Sequence, residues 1–186
     1  MRLLALSSHA DTLNSVRPEA ELFIGLAHAG VQVTIMTQAD SPYAERMQAA
    51  GVSLLEQRIH KKFSWRTVRE LRSLIRAHRY DVVYAFNNNA ICNAAFACLG
   101  LPTVLLAYRG QTGNIHALDP AAYLTLLHPR VDGIVCVASA VARGLQPHVR
   151  KKALHTVYKG HSLEWYQDSA TPRAALGLDD SDFVVG

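Results

Sequence analysis

The sequence predicts a doubly wound α/β domain built on a mostly parallel sheet. Three observations lead there. Short apolar runs alternate with longer segments of helical period along the chain. Several runs, such as Leu3–Leu6 and Gly133–Val137, are continuously apolar rather than alternating, as strands covered on both faces require. The residues between them are the Ser, Asp, Pro and Gly of helix starts and stops.

Taken in order, Leu3–Leu6 is the first strand. Ser15 caps a helix that ends before Gly30, with Pro18 in its opening turn. Gln32–Met36 is the second strand. Ser41-Pro42 opens a helix that stops at Gly51, and Ser53–Leu55 is the third strand. Ser64–His78 reads as an amphipathic helix and Asp81–Ala85 as the fourth strand. Gly100-Leu101-Pro102 breaks the next apolar stretch into a helix, a turn and a fifth strand, Thr103–Ala107. Asp119-Pro120 opens a helix that stops before Pro129, and Gly133–Val137 is the sixth strand. Ser139 opens a helix that stops before Pro147, and Leu154–Tyr158 is the seventh strand.

The tail differs in character. A small, polar stretch, Asp168–Pro172, precedes a short helix, Arg173–Leu176, closed by Gly177, and then Phe183-Val184-Val185-Gly186. That last run looks like a strand with no partner. The expectation is a domain over residues 1–166, with 167–186 a linker and the start of a second domain beyond the chain.

With 186 residues, 49% of them hydrophobic, the chain has material for one sizeable core, which excludes disorder and coiled coil as its main description. Cys92, Cys98 and Cys136 are too few for a disulfide scaffold and have no zinc spacing, so they read as buried thiols of a reducing compartment. The net charge of +4 is unevenly placed. Arg58–Arg79 carries eight basic residues against Glu70 alone, while the rest carries eleven basic and fourteen acidic residues. One basic face therefore points to an anionic partner. At 100° per residue Trp65, Arg69, Arg72, Arg76 and Arg79 form one stripe beside the apolar stripe Val68, Leu71 and Ile75. The stripe is either a solvated helix face or a surface for anionic lipid, for which Trp65, Arg69, Arg72 and Arg76 are the membrane-facing candidates. No nucleic-acid-binding module accompanies the charge.

Two membrane-like signals fail on length and content. The apolar run of Met1–Ala10 spans four residues, against about seven for a signal peptide core. Ala90–Tyr108 contains Asn93 and is cut by Gly100-Leu101-Pro102, which rules against a span.

In an open parallel sheet ligands bind beyond the carboxyl ends of the strands. The loops there hold Ser8, His9 and Asp11; Asn87, Asn88 and Asn89; and Arg109, Gln111, Thr112 and Asn114. The three asparagines are either helix caps or ligands for a polyhydroxylated molecule. No GxGxxG follows the first strand, and neither a GxxxxGK[ST] loop nor a GxSxG elbow occurs. The nine histidines never lie closer than six residues apart, so no local metal motif exists.

Several segments, in this order and spacing, carry a resemblance. They are Ser15–Glu21, Tyr108–Asn114, Asp119-Pro120, Leu127–Asp132, Ile134–Ala138, Tyr158–His161, Leu176–Leu178 and Phe183–Gly186. Together they resemble the N-terminal half of a GT-B glycosyltransferase of family 4. The resemblance implies two Rossmann-like domains facing across a cleft, the first binding the acceptor and the second a nucleotide sugar. It implies sugar transfer with retention of configuration and no essential metal or other cofactor. The chain alone, lacking the donor domain, is then expected to be inactive.

Against that pattern, the loop Ser7–Asn14 has no glycine, so Ser15 and the first amides of the following helix are the phosphate candidates. Arg109 stands where many members have histidine. It is expected to stabilise a leaving diphosphate or bind an anionic acceptor, or else to tie its loop to a carboxylate. Phe86 and Asn87 occupy a second common histidine position. Arg17, Gly110 and Lys159 join Ser15 as donor-phosphate or cleft residues, and His9, Asn87, Asn88 and Asn114 are acceptor candidates. For Arg17 and Glu19 a plain surface pair remains the other reading. The function expected is nucleotide-sugar-dependent transfer to a carbohydrate or lipid-linked acceptor of the cell envelope, in the cytoplasm or on the inner face of its membrane. An NDP-sugar 2-epimerase-like enzyme and a non-catalytic module that docks on an anionic surface are the competing readings.

Overall fold

The structure, a computed structural model, describes residues 1–7, 13–37, 43–57, 59–112, 115, 119–149, 153–166, 171–179 and 181–184; for 13–15 and 166 it describes the backbone alone. Seven strands form one sheet: β1 (Arg2–Leu6), β2 (Gln32–Thr37), β3 (Ser53–Glu56), β4 (Val82–Ala85), β5 (Val104–Arg109), β6 (Gly133–Cys136) and β7 (Ala153–Thr156). Their order is β3-β2-β1-β4-β5-β6-β7, and every neighbouring pair is parallel. The helices between them are α1 (Leu13–His28), α2 (Ala44–Ala49), α3 (Trp65–His78), α4 (Asn88–Ala97), α5 (Pro120–Tyr123) and α6 (Ser139–Leu145).

Strand period divides the core into two layers. Leu3 and Ala5 of β1 face Val16, Ala20, Phe23 and Met47 of α1 and α2. Leu4 and Leu6, one residue out of phase, face the side of α3, α4 and α6, with Leu71, Ile91 and Val141. The sheet is thus covered on both faces, which is why its strands read as apolar runs. Burial pushes the Cys98 thiol up to about 11 and also raises Cys92 and Cys136, so all three stay protonated.

Three expectations shift. α1 begins at Leu13, so Ser15 lies inside its first turn instead of capping it; Pro18 forgoes only one bond of the ladder. α5 is a single turn, capped by Asp119 Oδ1 accepting from Ala121 N at 2.9 Å. Beyond Tyr123 the chain continues in tight turns to His128, where Thr125 Oγ1 donates to the carbonyls of Ala121 and Ala122 and so competes with the helix. β5 runs on to Arg109, which places that side chain on a strand end. Of the expected linker near 167–172, residues 167–170 fall outside the described residues.

Two ties hold loops to the body of the domain. Arg130 donates to the carbonyls of Cys98, Leu101 and Thr103 and pairs with Asp132. This gathers the α4–β5 turn onto β6. Arg17 Nη1 donates to the Trp165 carbonyl at 3.1 Å, and its guanidinium lies 4.9 Å from the Trp165 ring centre. That contact brings the segment after β7 back onto α1.

Candidate functional site

The strand order reverses between β1 and β4: the chain moves outward through β2 and β3, then returns to β4 on the other side of β1. Loops at such a point diverge and leave a crevice beyond the strand ends. A cavity of about 360 Å³ lies there. Leu6, Met36 and Ile59 supply its apolar lining, and Ser7, Thr37, Gln57 and Asn87–Asn89 its polar lining.

The three asparagines divide between the two readings. Asn87 caps α4, its Oδ1 accepting from Ala90 N at 2.9 Å. Asn89 Nδ2 donates to the His60 carbonyl at 2.9 Å. The Asn88 side chain is exposed, has no hydrogen-bond partner among the described residues and lines this cavity. Asn88 is thus the member with free amide groups for a ligand.

Asn88 also lines a second cavity, of about 280 Å³, at the end of β5, with Lys62, Arg109, Gln111, Asp119 and Thr125 among its walls. Arg109 is half-buried, and its Nε donates to the Gln111 carbonyl at 2.9 Å. The fork therefore holds its loop through a backbone oxygen, not a carboxylate. Its two terminal nitrogens have no partner among the described residues. Burial lowers the Arg109 pKa, partly offset by Cys136. The result is a fixed cation with donors to spare, facing a cavity.

Both cavities share a wall that the sequence did not reveal, the segment 59–64. Asn93, fully buried in α4, holds it in place. Its Oδ1 accepts from Ser64 N at 3.0 Å, and its Nδ2 serves the carbonyls of Lys61, Lys62 and Asn89 at 3.0, 3.1 and 2.8 Å. The available signal was one amide in an otherwise apolar helix, which must find polar partners when buried.

Below the crevice, Ser7 Oγ donates to Glu19 Oε2 at 2.8 Å. Burial raises the Glu19 pKa, against the lowering effects of the Ser7 bond and the Lys159 charge. Lys159 itself is exposed. Arg17 and Glu19 thus form no simple surface pair, because one turns to Trp165 and the other to Ser7. Arg17, expected at the cleft facing phosphate, is tied to Trp165 through one terminal nitrogen, while its buried Nε has no partner among the described residues. Gly110 is exposed, and a Cβ there would lie 3.1 Å from the Tyr108 ring. Phe86 stacks on Tyr108 at 4.9 Å and meets Tyr84 and Phe23, so it belongs to the core. His9 and Asn114, and the side chain of Ser15, lie outside the described residues. Among the described residues no three potential ligands cluster to hold a metal ion.

On α3, Trp65 is 61% exposed and packs edge-on against Phe63 and Phe96. Arg69 and Arg76 are exposed. Arg72 departs from the outward stripe: its Nη1 donates to the carbonyls of Ala97 and Leu99 at 2.9 and 2.6 Å. It sits on the core-side flank of the stripe, where its long arm reaches the unsatisfied end of α4. Among the described residues no helix is long and apolar enough to cross a membrane.

The fold is shared with solved structures of low sequence identity. A glycosyltransferase from Rickettsia africae ESF-5 matches with a TM-score of 0.67 at 10% identity, over 95% of this chain and 48% of that one. Anabaena Alr3699/HepE in complex with UDP and glucose matches with a TM-score of 0.66 at 14% identity, over 95% and 50%. A UDP-N-acetylglucosamine 2-epimerase from Rickettsia bellii matches with a TM-score of 0.56 at 9% identity, over 96% and 52%. The chain thus spans about half the length of these structures. No curated protein matches it in sequence. The family model for Glycosyltransferase Family 4 matches residues 20–165. With an all-parallel Rossmann-like sheet and that match over most of its length, the chain is an N-terminal GT-B domain and belongs to glycosyltransferase family 4.

Proposed function

We propose that the parent protein transfers a sugar from a nucleotide-sugar donor to a carbohydrate or lipid-linked acceptor, with retention of configuration, and that this domain forms the acceptor side of the cleft. One observation carries the reading. Arg109, a fixed cation with unpartnered donors, and Asn88, a free amide, line one cavity, and Asn88 opens onto the polar crevice beside it. In this reading the acceptor lies in the crevice, its hydroxyls bonded by Asn88 and Gln57. Arg109 faces the bond that breaks and stabilises the negative charge that builds on the departing diphosphate. The remaining donor contacts come from a second domain, so residues 1–186 alone bind acceptor without turnover.

The reading extends to location, the inner face of the cytoplasmic membrane. Phe63 and Trp65 are exposed, with the cations Lys61, Lys62 and Arg69 exposed around them. Apolar rings ringed by cations favour an anionic lipid surface. Lys62 also lines the Arg109 cavity, which supports a lipid-linked acceptor entering from that surface.

The test is product analysis. The full-length protein is incubated with a panel of nucleotide sugars and lipid-linked acceptors, and products are resolved by mass spectrometry and anomeric NMR. Transfer with retention is expected. Inversion at C2 of a nucleotide sugar without acceptor consumption would replace this reading with the epimerase one, and no conversion of any donor would leave a binding module.

A further inference from the structure

At the opposite end of the sheet from the crevice, where β4 and β5 begin, lies a groove of about 700 Å³ that the transfer reaction does not use. Its volume is within the roughly 300–1,000 Å³ of small-molecule sites. Ile75 and Tyr80, both buried, form its floor, and Leu101, Pro102 and Val104 form its wall. Val104 is 42% exposed although it sits in an interior strand of the sheet.

Arg76 and Arg79 stand at the mouth, exposed, and their guanidinium groups have no partner among the described residues. Asp81, the one acid in the groove's lining, accepts from Arg2 N at 2.6 Å. The groove therefore pairs an apolar trough with two guanidinium groups set against one carboxylate, a net positive charge.

The backbone adds an independent observation. Arg79 ends α3 in the left-handed conformation, with φ 51°, where a side chain is strained and glycine is not. The other described residues with positive φ, Gly30, Gly51, Gly100 and Gly177, are all glycines. Arginine at this one position brings a second guanidinium to the groove.

We propose that this groove binds an anionic lipid. The headgroup phosphate or carboxylate lies between Arg76 and Arg79, and the hydrocarbon chain lies over Tyr80, Leu101, Pro102 and Val104. The site is distinct from the aromatic surface at Trp65, which lies at the other end of α3, roughly 20 Å away at the helical rise.

The probe is dodecyl phosphate below its micelle-forming concentration, titrated calorimetrically into the full-length protein without vesicles. Saturable one-to-one binding is expected, with none for inorganic phosphate or for dodecyl maltoside. Arg79→Gly should weaken binding at least tenfold while leaving the thermal midpoint unchanged or higher, because glycine accepts the backbone angle. Arg76→Gln should weaken it similarly, and Val104→Asp should abolish it. The proposal is overturned by the absence of saturable binding to the parent, by equal binding to the parent and both arginine variants, or by inorganic phosphate binding as tightly as the amphiphile. None of these outcomes bears on sugar transfer or on vesicle binding through Trp65, which are measured separately.

Discussion

Ser7 Oγ donates to Glu19 Oε2 across 2.8 Å, joining the carboxyl end of β1 to the second turn of α1 beneath the crevice. The bond lies where the strand order reverses, so a half-buried carboxyl sets the position of the residue that opens the crevice. A carboxyl kept there at a cost in solvation has a definite pH signature.

Burial raises the Glu19 pKa above its ordinary value of 4.5, so the folded state holds this proton more tightly than the unfolded chain. Its favourable contribution is full below 4.5 and is lost as pH rises through the raised value. Glu19→Gln keeps an acceptor for Ser7 and removes the charge. It should therefore be more stable than the parent at neutral pH, with the difference vanishing toward pH 4. Thermal melts across pH check this, and a gain that grows on acidification would refute it.

For the transfer activity proposed above, Arg109→Ala in the full-length protein should lower kcat by about 100-fold or more, with a smaller effect on donor binding. Arg109→Lys should recover only part, since a point charge cannot both hold the Gln111 carbonyl and aim a second donor. Steady-state kinetics decide it; an unchanged kcat would assign Arg109 to loop structure alone.

Asn93→Ala removes the amide that ties segment 59–64 to α4. It leaves part-buried backbone groups without their partner, at a cost of about 1–2 kcal/mol. Because that segment lines both cavities, the acceptor KM should rise while kcat changes little. Chemical denaturation and acceptor titration measure the two effects; lost stability with an unchanged KM would show that the segment does not shape the site.

Arg130→Ala should destabilise the domain by about 2–3 kcal/mol, because three carbonyls and Asp132 lose one shared partner. Urea titration of the variant tests it. A change below about 0.5 kcal/mol would mean that water replaces the guanidinium without loss.

The domain should sediment with vesicles that contain acidic lipid, not with neutral ones, and should release as salt rises. Trp65→Ser with Arg69→Gln should weaken that binding about tenfold or more. Arg72 is left intact because it serves α4. Equal sedimentation of parent and variant would return this face to solvent.

Local chemistry made much of this protein legible before folding was considered. Apolar runs of strand length, the Ser64 and Asp119 caps and the glycines after helices all act within a few residues, so the strand–helix alternation could be read directly. Apolar runs without alternation also foretold a sheet buried on both faces. The sequence alone could not decide among side chains whose partners are remote. Asn87, Asn88 and Asn89 are chemically identical neighbours; the start of α4 makes Asn87 a cap, and only the placement of segment 59–64 makes Asn89 a tie while Asn88 stays free. Arg17 meets Trp165 across 148 residues, and Arg130 finds carbonyls 27 to 32 residues away. Arg72 left the predicted stripe because a helix end, unsatisfied and within reach, attracts a guanidinium more strongly than water does. Helical and strand period is a property of consecutive residues. Partner choice depends on which chain segments the packed sheet brings within about 3 Å, and only the tertiary structure decides that.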